Sequence, residues 1–96
     1  MSTLTKHSTQ IKKFYLGKKY SDQYFTQQEA NCMYYFLKGY SNQAIAEALA
    51  LSVRTIIFYS GLMRRKVPSH SNKELIEQVK ESNFIHYLEE IEQALS

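Results

Sequence analysis

Residues 38–68 read KGYSNQAIAEALALSVRTIIFYSGLMRRKVP. Ser41 follows Gly39 as a helix N-cap, its hydroxyl able to accept from an orphan backbone N–H. Ile45, Ala46 and Leu49 then share one face of a short helix over about 42–49. Ala50-Leu51-Ser52 leaves room only for a turn, and Ser52 is a second N-cap. Beyond it Ile56, Ser60, Met63 and Val67 recur at i, i+4, i+7 and i+11, one buried stripe of a longer helix that Pro68 ends.

Working outward, Thr26-Gln27-Gln28-Glu29 is a capping box, with Phe25 before it as a hydrophobic staple toward Ala30. Ala30, Met33, Tyr34 and Leu37 continue at helical spacing, and Gly39 stands where a left-handed C-terminal residue belongs, so a helix is expected over 27–38. Downstream, Ser71-Asn72-Lys73-Glu74 is another capping box. It opens a helix with Leu75, Ile76 and Val79 inward, ending near Asn83, and Ile85, Leu88, Ile91 and Leu95 suggest that helix resumes to the C-terminus. The first 24 residues are polar and lysine-rich. Residues 9–16 are read as a short helix with Ile11, Phe14, Tyr15 and Leu16 on one face, stopped by Gly17, and no Asn-Gly or Asp-Gly turn signals a hairpin. The expected fold is all-α. A short helix, a three-residue turn and a longer helix have the proportions of a helix-turn-helix, in which the second helix lies in the major groove.

The order of motifs from Phe25 to Phe84 resembles the LuxR/GerE DNA-binding domain. "FTQQEA" is similar to that family's Leu-Thr-x-Arg-Glu opening, and "KGYSNQAIAEALALS" to its Gly-x-Ser-Asn-x-x-Ile-Ala-x-x-Leu stretch. "SVRTIIFY" resembles its Ser-x-x-Thr-Val-Lys-x-His recognition helix, "MRRKV" its Ile-x-x-Lys-Leu close, and "SNKELI" its Ser-Lys/Arg-x-Glu-Leu last helix. The resemblance implies a four-helix domain of a bacterial transcription regulator, binding double-stranded DNA and dimerising through its last helix. The sequence departs from the pattern where Ile57 stands for a groove-facing Lys, Tyr59 for a customary His, Gly61 for a polar residue and Leu62 for a frequent Asn. The domain is expected at 25–84, with a basic arm or linker at 1–24 and a helical extension at 85–96.

Composition narrows the alternatives. A chain of 96 residues, 44% hydrophobic, makes one domain. The net charge of +3 is unevenly placed: Lys6, Lys12, Lys13, Lys18 and Lys19 precede residue 25 against Asp22, whereas six glutamates follow Ser71 against Lys73 and Lys80. A basic front and an acidic tail suit an anionic partner for the first two-thirds only. A lone Cys32 excludes an internal disulfide and fits a reducing cytoplasm. Neither a signal-peptide core nor a membrane-length apolar run is seen. His7, His70 and His86 have no metal spacing, and no glycine loop, carboxylate pair or nucleophilic triad suggests an enzyme or a cofactor.

The candidate DNA-binding residues are Ser41, Asn42, Ser52, Arg54, Thr55, Ile57, Phe58, Gly61, Arg64, Arg65 and Lys66. Arg54, Arg64, Arg65 and Lys66 are read as phosphate contacts, although cations at a helix end also complement its dipole. Ser52 and Thr55, and Ser41 and Asn42, serve either as caps or as backbone contacts. Ile57 and Phe58 have three readings: contact with thymine methyls, contact with another regulatory protein, or burial with the helix phase shifted by one residue. Leu75, Ile76, Val79, Leu88 and Ile91 are the candidate homodimer contact, rimmed by Glu81, Glu89, Glu90 and Glu92. The alternative is that residues 85–96 fold back on Ile11, Phe14 and Tyr15 of the same chain. A protein-interaction module of the same fold, blocking another regulator, is the rival function.

Overall fold

The computed structural model describes residues 12–96. Strands β1 (Phe14–Gly17) and β2 (Tyr20–Phe25) pair antiparallel and lead into α1 (Gln27–Leu37), α2 (Asn42–Leu49), α3 (Val53–Lys66) and α4 (Asn72–Lys80). A short 3-10 helix, Asn83–Tyr87, then runs into α5 (Leu88–Leu95).

The helix starts lie where the hydroxyl signals put them. Thr26 Oγ1 accepts from Glu29 N at 3.3 Å while Glu29 Oε1 accepts from Thr26 N at 2.9 Å, closing the capping box. Ser41, Ser52 and Ser71 each accept from the backbone N–H three residues on, all at 3.1 Å. The second box is displaced: Glu74 accepts from His70 N at 2.8 Å, one residue before the cap. Inside, Ile56, Ser60, Met63 and Val67 of the α3 region are at most 1% exposed and pack with Met33, Ile45, Leu75 and Val79. The buried Ser60 hydroxyl is satisfied locally, donating to Ile57 O at 2.9 Å.

The all-α expectation holds broadly, but the four-helix count needs correction. The chain is mostly helical, but it carries a two-stranded sheet and five α-helices among the described residues. Residues 14–16, read as helical, are strand, and residues 9–11 lie outside the described residues. Phe14 and Leu16 point inward and Tyr15 outward, the period-two alternation of a half-buried strand. Gly17 and Lys18 both take positive φ, 64° and 51°, and reverse the chain without an Asn-Gly pair. Tyr15 opposes Tyr24 and Phe14 opposes Phe25, a cross-strand aromatic pairing suited to a pleated surface.

At the other end, α4 stops at Lys80, short of the expected Asn83. The 3-10 turn that follows drives Phe84 into the core, with ring centroids 5.3 Å from Phe25 and 6.3 Å from Phe14. Tyr87 lies edge-on to Phe14 at 5.2 Å, and Ile91 of α5 is 1% exposed. Lys12 Nζ meets Glu90 at 2.5 Å across the same junction. Hairpin and C-terminal helix thus share one core with α1–α4.

Candidate nucleic-acid interface

Between α2 and α3 the chain turns by 109°, within the range of a helix-turn-helix. Ala50 makes the corner in the left-handed region (φ 57°, ψ 43°), which lets Leu51 N reach Ala46 O at 2.9 Å. That conformation is costly for a residue with a Cβ, and the backbone bonds from Ala50 N to Glu47 O and from Leu51 N to Ala46 O close the corner.

With Ile56, Ser60 and Met63 turned inward, α3 presents the opposite face to solvent. Arg54 and Arg65 are exposed, and Ile57 and Phe58 are 50% and 60% exposed. The reading in which Ile57 is buried by a phase shift is therefore overturned. Gly61 and Arg64 are half-buried on the same side. Ile57, Phe58, Gly61, Leu62, Arg64 and Arg65 border a shallow hollow of about 440 Å³.

The cations differ in what they already hold. Lys66, expected at a phosphate, is turned into the protein: its ammonium donates to Glu29 Oε1 at 2.7 Å and to Tyr24 O at 2.8 Å. Arg64 donates through Nη1 to Asn72 Oδ1 at the start of α4. Arg54 and Arg65 have no protein partner among the described residues. Ser52 Oγ lies 2.9 Å from Thr55 Oγ1 and caps α3, so both hydroxyls at that end are hydrogen-bonded to each other while Ser52 stays exposed. Ser41 caps α2 and is exposed, with Asn42 half-buried beside it.

Two features of this surface escape a reading of periodicity alone. Val53, at the first turn of α3, is 39% exposed and extends the apolar patch. The hairpin brings Lys19 beside the far end of α3, where Lys19, Tyr20, Asp22 and Arg65 border a hollow of about 360 Å³. Only the Lys-rich composition before residue 20 hinted at the second.

The other singled-out residues lie elsewhere. Of the five expected at a dimer contact, Leu75, Val79 and Ile91 are at most 1% exposed within their own chain, and Ile76 and Leu88 are half-buried. Cys32 is fully buried in α1, and desolvation, with the Glu29 carboxylate adding to it, pushes its thiol up to about 11. Tyr34, Tyr35 and Tyr40 pack on one another, with centroids 5.1 and 4.9 Å apart, at the C-terminal end of α1. No single helix among the described residues is long and apolar enough to cross a membrane.

A family model described as bacterial regulatory proteins, luxR family, matches residues 23–79, more than half of the chain. The chain belongs to the luxR family. The matched segment runs from β2 to the last turn of α4, so it holds the helix-turn-helix and the capping boxes while β1, the 3-10 turn and α5 lie outside it. No curated protein and no solved structure matches the chain. Within a luxR-family domain, α2 and α3 are the helix-turn-helix and α3 its second helix, as the sequence resemblance implied.

Proposed function

We propose that this luxR-family chain binds double-stranded DNA by laying α3 in the major groove, and acts as a bacterial transcription regulator on the nucleoid in the cytoplasm. The observation that carries this reading is the outward face of α3, which sets Arg54 near its start and Arg65 near its end. Eleven residues along a helix separate them by about 16 Å, and a major groove about 12 Å wide is flanked by phosphates on both sides. Dipole complementation accounts for Arg64 and Arg65 in the last turn. It does not account for Arg54, because a cation in the first turn opposes the dipole. An external anion does. Ser41, Asn42, Ser52 and Thr55 would add neutral contacts to sugar and phosphate. Lys19 on the hairpin turn extends the basic surface beyond Arg65.

Self-pairing belongs to this proposal only on the surface that the fold leaves open, namely Ile76, Leu88 and the 40%-exposed Ile85. The rival reading, a module that binds another regulator, draws on the same exposed Ile57 and Phe58. Titrating the chain into mixed-sequence duplex at several salt concentrations tests the proposal. A shift whose log affinity falls linearly with log salt supports it. Failure to shift any duplex at low salt overturns it.

A further inference from the structure

The centre of the proposed recognition face is apolar, and the chain itself gives it no employment. Ile57 and Phe58 are the most exposed large hydrophobic side chains among the described residues. They sit between Arg54 and Arg65 on a helix whose sequence, VRTIIFYSGLMRRK, holds no acidic residue. One turn further along is Gly61, in the interior of that helix. A glycine there costs about 1 kcal/mol relative to alanine, yet a Cβ added at Gly61 would meet nothing within 4 Å. No neighbouring residue of the fold demands the missing side chain. The hollow it leaves between Phe58 and Arg65 opens outward.

An apolar pair and a bare stretch of backbone, bracketed by cations, match the floor of a major groove in which methyl groups project between two phosphate rails. Resting on the proposed duplex binding, we infer that Ile57 and Phe58 read the C5-methyl groups of pyrimidines, thymine above all, and that Gly61 lets the helix backbone approach the base edges. The cations fix register and carry no sequence information. The methyl contacts supply the preference, since neither side chain can hydrogen-bond a guanine or adenine edge. The bracketing arginines favour this occupant over an apolar protein surface, which would leave Arg54 and Arg65 facing no anion.

The test uses the intact chain and one mixed-sequence duplex made in three forms: unmodified, with deoxyuridine for thymidine, and with 5-methylcytosine for cytosine. Base pairing and charge are the same in all three. The uridine form is expected to bind more weakly, by about fourfold for each methyl contacted, and the 5-methylcytosine form more tightly than the unmodified one. Ile57→Ala and Phe58→Ala, both at exposed positions, should shrink these differences while keeping the salt dependence. Gly61→Ala should raise the melting temperature and lower affinity for all three forms. Equal binding of the three forms with normal salt dependence overturns the inference and leaves duplex binding standing. No binding to any form overturns both, and self-association abolished by Phe58→Asp would then give the face to a second copy.

Discussion

Lys66 Nζ lies 2.7 Å from Glu29 Oε1, and the Glu29 side chain is 2% exposed. One contact thereby ties the last residue of α3 to the first turn of α1, with Tyr24 O from the hairpin as a third member. A residue that looks like the end of a basic DNA-contacting run is instead a fastener at the meeting point of three elements.

Removing one member of such a pair strands the other. Lys66→Met is expected to destabilise the fold by about 3 kcal/mol, because Glu29 is left buried with only the Thr26 amide. Chemical denaturation measures this. In duplex titrations the same variant should keep the slope of log affinity against log salt, since Lys66 offers no charge to phosphate. A slope that drops by one would return Lys66 to the interface.

Arg65→Ala and Arg54→Ala should behave the opposite way. Each is exposed, so stability should change by less than about 0.5 kcal/mol. Each should lower the salt slope by about one, with affinity falling similarly across sequences. Arg64→Ala should combine both effects, because its guanidinium also holds Asn72 at the head of α4.

The helical frame was legible in the sequence because its signals are local. Thr26, Ser41, Ser52 and Ser71 announce helix starts within three residues, and the Ile56–Val67 stripe fixes the phase of α3 and leaves Ile57 and Phe58 outside. The hairpin was not legible, because its turn uses Lys18 at positive φ and its strands are short; Phe14 and Leu16 fit a helix face nearly as well as alternating strand positions. The Lys66–Glu29 pair was hidden for another reason. It joins residues 37 apart in sequence, and a capping-box glutamate is ordinarily a surface residue. The face of α4 and α5 was legible as apolar, but whether the chain's own core or a second copy covers it depends on the hairpin.

Gly17 is where the hairpin turn meets the C-terminal segment. Its φ is +64°, and a Cβ there would run into the Asn83 side chain, with Cγ at 2.8 Å. Gly17→Ala should therefore cost more than about 1 kcal/mol, the conformational penalty and the clash adding. Pairing it with Asn83→Ala should recover part of that loss in a double-mutant cycle. Equal losses with and without Asn83 would place the whole effect in the backbone.

The buried Cys32 thiol gives an alkaline limit to stability. Its pKa rises from 9.0 in the free thiol to about 11 in the fold, so between these values the unfolded chain has lost a proton that the folded chain keeps. Stability therefore falls as pH rises through that window. Cys32→Ala should flatten this fall relative to the parent chain. At neutral pH the parent thiol should react with an alkylating reagent only after denaturation.

The fold-back of the C-terminus makes its own prediction about concentration. Ile91 is 1% exposed, and α5 is pinned to the rest of the chain by Ile91, by the edge-on contact of Tyr87, just before it, with Phe14, and by the half-exposed Lys12–Glu90 pair. The ion pair, open to solvent, adds little; the packing carries the attachment. Ile91→Ala removes buried methyl groups and leaves a cavity, a change that costs about 2–5 kcal/mol in close-packed cores. Because Ile91 is already buried within its own chain, that loss should be independent of protein concentration. A core shared between two copies would instead give a melting temperature that climbs with concentration for the parent chain and climbs less for Ile91→Ala. Melting curves over a hundredfold range of concentration, read beside sedimentation of the parent chain and of Leu88→Asp, separate the two. A loss from Ile91→Ala that is the same at every concentration is the expected result, whether or not copies pair through the open surface around Leu88; a loss that changes with concentration and vanishes in the Leu88→Asp background would assign α5 to an interface between copies.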